Sequence, residues 1–262
     1  MNWNRIKALI YRYLLFMRHD MARILDTFYW PLIDLVVWGF LTVYLSQTNF
    51  TGYNLATALI SGIILWTLVY SLSRDIAVSF LDDLWDRNVI NLYCSPLKPS
   101  EFLAASFLVA LFRVMLTTIF MLLIAFIFYG VNTLVLGIYF FVFFLLLVIF
   151  SFSLGVFATT LILRFGPSAE IIAWSLPAVL SPFSAVLFPL SVLPETVRLI
   201  AGIFPTPYIF ECMRGVLLHG NCVLKNLMVA GLLDVLYVMI AAILFFYVFD
   251  RIRQDGTISR FS

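Results

Sequence analysis

Apolar runs recur along the chain, separated by short polar turns, and they predict helices that cross a bilayer. The runs fall at about residues 28–45, 55–72, 102–128, 134–163, 169–188 and 224–249, near the roughly 20 residues a hydrocarbon core requires. In front of them, apolar side chains stand at Trp3, Ile6, Ile10, Tyr13, Leu14, Met17, Met21, Ile24 and Leu25. That spacing predicts an amphipathic helix, with Arg5, Lys7, Arg12, Arg18 and Arg23 as its cations. Such a helix lies in the headgroup layer. Packing on the protein's own cytosolic face is compatible with this. It is not a signal peptide, because the apolar segment begins late and no small-residue cleavage site follows.

The longest polar interruption, residues 73–101, holds Arg74, Asp75, Asp82, Asp83, Asp86, Arg87, Lys98 and Glu101. Within it Leu81, Leu84, Trp85 and Ile90 stand at roughly helical spacing among charges. A short amphipathic helix is expected, ending before Ser95-Pro96-Leu97. Its exposed apolar face would either dock another chain or pack on this chain's own spans.

A second interruption, 182–214, holds Pro182, Pro189, Pro194, Pro205 and Pro207 with Glu195, Arg198, Glu211 and Arg214. Proline removes a backbone donor and breaks helices, which a bilayer tolerates only where protein or water covers the freed groups. The stretch is therefore an external loop or a broken, partly re-entrant element. Glu211 and Arg214 are three apart and share a face if Tyr208 starts a helix.

Charged groups also lie inside spans. Asp34, Arg113 and Asp234 each carry a depth penalty that favours the bundle interior. Arg113 is within reach of Asp34 or Asp234 in some arrangements, or snorkels toward the cytosolic surface. The cysteines Cys94, Cys212 and Cys222 have no metal-like spacing. Cys94 is expected in the reducing cytosol. Cys212 and Cys222 are either small buried thiols or an outward-facing pair.

Composition fixes the class. Of 262 residues, 63% are hydrophobic and 11% charged, far from soluble norms of about 25% charged. This is an integral membrane protein, and its spans leave no room for a soluble catalytic domain. With both termini inside, twelve of the sixteen Lys and Arg residues fall on the cytosolic side, which supports six spans in that orientation. The proline-rich stretch then faces outward. No GxxxxGK(S/T), HExxH or GxSxG motif occurs. His19 and His219 fall on opposite sides, so no metal site is expected. Nothing indicates nucleic-acid binding.

At this point the chain resembles the permease subunits of type-2 ABC exporters, the polysaccharide and drug export family. Ser184, Leu193-Pro194, Pro205-Thr206, Tyr208 and Arg214 reproduce that family's signature spacing. Pro177 and Phe183 stand where aliphatic residues are usual. The basic leading helix, the polar loop after the second span and Ser95-Pro96-Leu97 extend the resemblance over nearly the whole chain.

The resemblance implies an all-α membrane fold: one transmembrane domain over 1–262, with six transmembrane helices behind an interfacial helix at 1–27. It implies a cytosolic loop with a coupling helix at 74–101 and short re-entrant helices in an external segment at 189–223. It implies no cofactor in this chain, ATP and Mg being bound by a separate cytosolic ATPase. Two ATPase copies and a second permease copy, identical or paralogous, complete the transporter in the cytoplasmic membrane.

Leu81, Leu84, Trp85, Asp86 and Arg87 would receive the ATPase motion. Pro194, Pro205, Pro207, Tyr208, Glu211 and Arg214 would form the outer gate or substrate path. The expected cargo is lipid-linked or amphipathic, a polysaccharide or glycolipid, with a hydrophobic drug as second choice. Two other classes are a secondary transporter using Asp34, Arg113 and Asp234 as a relay, and a membrane scaffold recruiting a partner through residues 80–98.

Overall fold

The computed structural model describes residues 2–19, 21–47, 53–86 and 95–255. Among them the secondary structure is helical throughout. Helix α1 spans Trp3–His19, α2 Met21–Gln47, α3 Tyr53–Trp85, α4 Pro99–Tyr129 and α5 Ile138–Phe165. Helix α6 spans Glu170–Leu180, α7 Glu195–Ala201, α8 Thr206–His219 and α9 Leu224–Asp255. Of the described helices, α2, α3, α4, α5 and α9 are long and apolar enough to cross a membrane. The fifth expected run, 169–188, is instead a shorter apolar helix, Glu170–Phe183. Pro177 lies inside α6, and Pro182 lies in the tight turn that ends it.

Helix α3 departs most from the sequence expectation. The predicted second span continues without a break through the first part of the expected amphipathic helix, to Trp85, as one helix of 33 residues, about 50 Å at 1.5 Å per residue. The rest of that expected helix, with Arg87 and Ile90, lies outside the described residues. The charges from Arg74 to Asp83 did not end the helix because the bundle surrounds them. In α3's most apolar stretch 78% of residues are buried, against 22% in α2 and 17% in α9. Helix α3 is therefore the centre, and α2 and α9 lie outside it. Close packing makes this possible: a Cβ at Gly155 of α5 would come within 2.8 Å of Ile76. Hydroxyls along the buried faces are satisfied locally. Ser73, Ser79, Thr159 and Thr160 each donate to the carbonyl four residues earlier.

Side-chain contacts give the helix directions. Arg23 of α2 bonds Asp82 near the end of α3, so these two run antiparallel. Phe80 of α3 meets Phe102 near the start of α4 edge to face, while Phe28 of α2 meets Phe120 of α4. Ser61 of α3 contacts Thr133 just before α5, and Ile76 faces Gly155 within it, so α3 and α5 run parallel. Phe150 of α5 packs on Tyr237 of α9, and both Leu163 and Arg253 line one cavity. Helices α5 and α9 are therefore parallel, and residues 166–223 carry the chain back between them. One end of the bundle collects α1, the C-terminal ends of α3, α5 and α9 and the start of α4. We call it the charged end. The other is the proline end.

Candidate functional site

At the charged end, cations of the leading helices meet carboxylates of α3. Arg12 bonds both oxygens of Asp83 at 2.6 and 2.9 Å, and the Tyr13 hydroxyl donates to the same carboxylate at 2.8 Å. Burial and the Asp83 charge push the Tyr13 phenol far above its usual range, so it remains a donor. Arg23 pairs with Asp82. Arg74 pairs with Asp26 of α2 at 3.0 Å and with Asp75 at 3.2 Å, and Arg113 of α4 reaches Asp75 at 3.3 Å. The Arg74 guanidinium also lies 5.6 Å from the Trp174 ring of α6. Glu101 accepts the N–H groups of Asn2 at 2.6 Å and Lys98 at 3.1 Å. Arg5 donates to the Pro96 carbonyl.

The leading helix thus packs on the protein itself. Ile6, Leu9 and Tyr13 are buried, while Trp3, Tyr11 and Phe16 remain exposed. Of the residues expected to form the coupling surface, Leu81 and Leu84 lie in the core of the chain. They pack inward with Phe80 and Phe102 because α3 continues through them to Trp85. Trp85 and Asp86 are exposed at its end. Arg87 and Cys94 lie outside the described residues, as do the side chains of Arg18, His19 and His219.

At the proline end the signature residues bond to one another. The Thr206 hydroxyl donates to Ser184 at 3.1 Å, and Ser184 donates to the Leu180 carbonyl at 2.8 Å. Tyr208 donates to the Gly202 carbonyl at 3.0 Å. Arg214 is buried, donates to the Ala185 carbonyl at 2.7 Å and pairs with Glu211 at 3.2 Å. Glu211 in turn accepts the Leu190 N–H at 2.7 Å.

Ala185 adopts φ of 54°, a left-handed conformation disfavoured for a residue with a Cβ. The Arg214 bond to its carbonyl holds it there. Pro194 directly precedes α7, and Pro205 and Pro207 sit at the start of α8, where a missing N–H is harmless. Cys212 and Cys222 are joined by a disulfide with Cα atoms 4.8 Å apart. Of the two alternatives left by the sequence, pairing is the one realised, because the turn after α8 folds back beside it. A Cβ at Gly62 of α3 would lie 3.2 Å from the Val186 carbonyl, so this segment rests directly on the central helix.

The intramembrane residues are not brought together as a relay. Asp34 faces outward on α2. Arg113 is engaged by Asp75. Asp234 is buried in α9, with both carboxyl oxygens lacking a hydrogen-bond partner. Sequence reasoning did not single out Asp75, Asp83, Arg12 and Tyr13. The available signal was the match between cations at 5–23 and carboxylates at 75–101. Among the described residues, no group of His, Cys, Asp and Glu is arranged to hold a metal.

Residues 4–218 match the family model described as ABC-2 type transporter. No curated protein matches the chain.

Proposed function

The chain belongs to the ABC-2 type transporter family, and we propose that it is the permease subunit of an ATP-driven exporter. Members of this family are the membrane component of transporters, not the ATPase, and they generally work with an ABC ATPase subunit. The chain is a multi-pass membrane protein. In our reading it crosses the cytoplasmic membrane six times, with residues 166–223 making the fifth crossing and the short helix α7 dipping back into the outer leaflet. Both termini are cytosolic. The Cys212–Cys222 disulfide supports an outward-facing proline end, since disulfides persist in oxidising compartments. Two permease copies and two ATPases, which bind ATP and Mg, form the complex. Its cargo is a lipid-linked or amphipathic molecule, a glycolipid or polysaccharide before a hydrophobic drug.

The continuity of α3 carries this reading. A single rod has Trp85 and Asp86 exposed at the charged end, while its other end bears the proline segment at Gly62 and, through Trp66, at Phe210. Movement imposed on Trp85 is transmitted along a helix rather than through a flexible loop. Trp85 and Asp86 contact the ATPase, and Leu81 and Leu84 fix the rod to the core. The proline segment is the outer gate.

The test is Trp85→Asp with Asp86→Arg in the full chain, coexpressed with its ATPase. ATPase copurification should fall about thirtyfold, the loss of a buried aromatic anchor worth about 2 kcal/mol. Copurification and transport both at wild-type level would refute the coupling role.

A further inference from the structure

A cavity of about 280 Å³ opens among the charged ends of α3, α4, α5 and α9. Phe80, Phe102, Leu163, Phe245 and Phe249 form an apolar wall, and residues 95–98 close one side. Two cations, Lys98 and Arg253, belong to the lining and are exposed. Neither side chain forms an ion pair with a described carboxylate. The neighbouring Glu101 is already occupied: it is 1% exposed, accepts two backbone N–H groups and lies 3.7 Å from Arg5. Among the described residues, the site therefore combines an apolar interior with two cations that have no carboxylate partner.

Its level relative to the bilayer follows from α1. That helix packs along α4, with Asn2 and Arg5 bonded to Glu101 and Pro96 beside the cavity. It presents Trp3, Tyr11 and Phe16 outward, the character of a helix in the headgroup layer. The cavity thus opens where phospholipid headgroups lie. Its volume is at the lower limit of pockets that enclose a drug-sized ligand, about 300 Å³.

We propose that this cavity holds an anionic phospholipid of the adjoining leaflet. One acyl chain lies against Phe102, Phe245 and Phe249, and the phosphate sits between Lys98 and Arg253. The lipid is a resident component, not the cargo. It joins the connection between α3 and α4, next to the coupling end, to the last turns of α9.

The full chain is reconstituted in nanodiscs of equal phosphatidylglycerol and phosphatidylcholine, extracted into detergent, and its retained lipid weighed by native mass spectrometry. Wild-type protein should keep phosphatidylglycerol in preference to phosphatidylcholine. Lys98→Ala with Arg253→Ala should lower that retention about thirtyfold, roughly fivefold for each cation near an anionic headgroup. Leu163→Trp fills the cavity, leaves both cations in place and should also release the lipid. Should Leu163→Trp not fold, the double alanine variant decides alone, since both its side chains are exposed. Equal retention of the two lipids by wild type would overturn the proposal. So would undiminished phosphatidylglycerol in a folded variant, or a non-phospholipid amphiphile recovered from the site.

Discussion

The charged end and the proline end are both polar interruptions in an apolar chain, and they are built on opposite plans. At the charged end the bonds span long stretches of sequence. Asn2 and Glu101 are 99 residues apart, Arg12 and Asp83 71, and Arg23 and Asp82 59. They join α1, α2, α3 and α4. At the proline end the partners are near neighbours: Arg214 and Ala185 are 29 apart, Thr206 and Ser184 22, and Leu190 and Glu211 21. That segment closes on itself and then rests on α3. A perturbation at the charged end should therefore spread across helices, and one at the proline end should stay local.

The sharpest test of this difference is Asp75→Ala, which removes a carboxylate shared by Arg74 and Arg113. Arg113 loses its carboxylate partner while Arg74 keeps Asp26, and breaking such a buried pair costs about 3–5 kcal/mol. Hydrogen exchange should rise together in the middle of α2, α3 and α4. A change confined to α3 would mean the network is not a shared fastening.

Next in size is Cys212→Ser. Opening a short disulfide-closed loop should lower stability by about 2–4 kcal/mol, seen as a lower thermal midpoint that reductant no longer shifts. Exchange should increase over 184–222 and not in α1. Loss of protection in α1 would erase the contrast between the two ends.

Ser184→Ala removes two hydrogen bonds, the one from Thr206 and the one to the Leu180 carbonyl, and should cost roughly 1–2 kcal/mol, again with local exchange only. The smallest stability effect belongs to Trp85→Ala. Its side chain is 47% exposed, and the change should stay within about 0.5 kcal/mol. That near-silence in unfolding, set against its expected effect on ATPase binding, separates Trp85 from Leu84, whose truncation would leave a core cavity.

Legibility differed between the two ends for a physical reason. At the proline end the resemblance to a family signature at Ser184, Pro194, Pro205, Thr206, Tyr208 and Arg214 marked a defined unit, and its partners prove close in sequence. The Glu211–Arg214 pair followed from helical spacing. At the charged end the alternation of charged and apolar residues around 80–90 pointed to a surface helix. Helical periodicity reports which residues share a face, and it does not report what covers that face. Leu81 and Leu84 share one face with each other, and both are buried in this chain's own apolar core.

The sequence by itself determined the membrane class, the helical content, the position of nearly every apolar helix and the amphipathic leader. These depend on local composition, length and period. The tertiary structure alone decided that α3 runs unbroken from Tyr53 to Trp85, that Arg113 serves Asp75, and that Cys212 meets Cys222. A carboxylate at Asp83 reads as a helix end or a loop until a guanidinium 71 residues away is brought to 2.6 Å. Pairing of distant charges is a property of how helices are arranged, and that arrangement is set by packing at sites such as Gly155 and Gly62 rather than by any single segment.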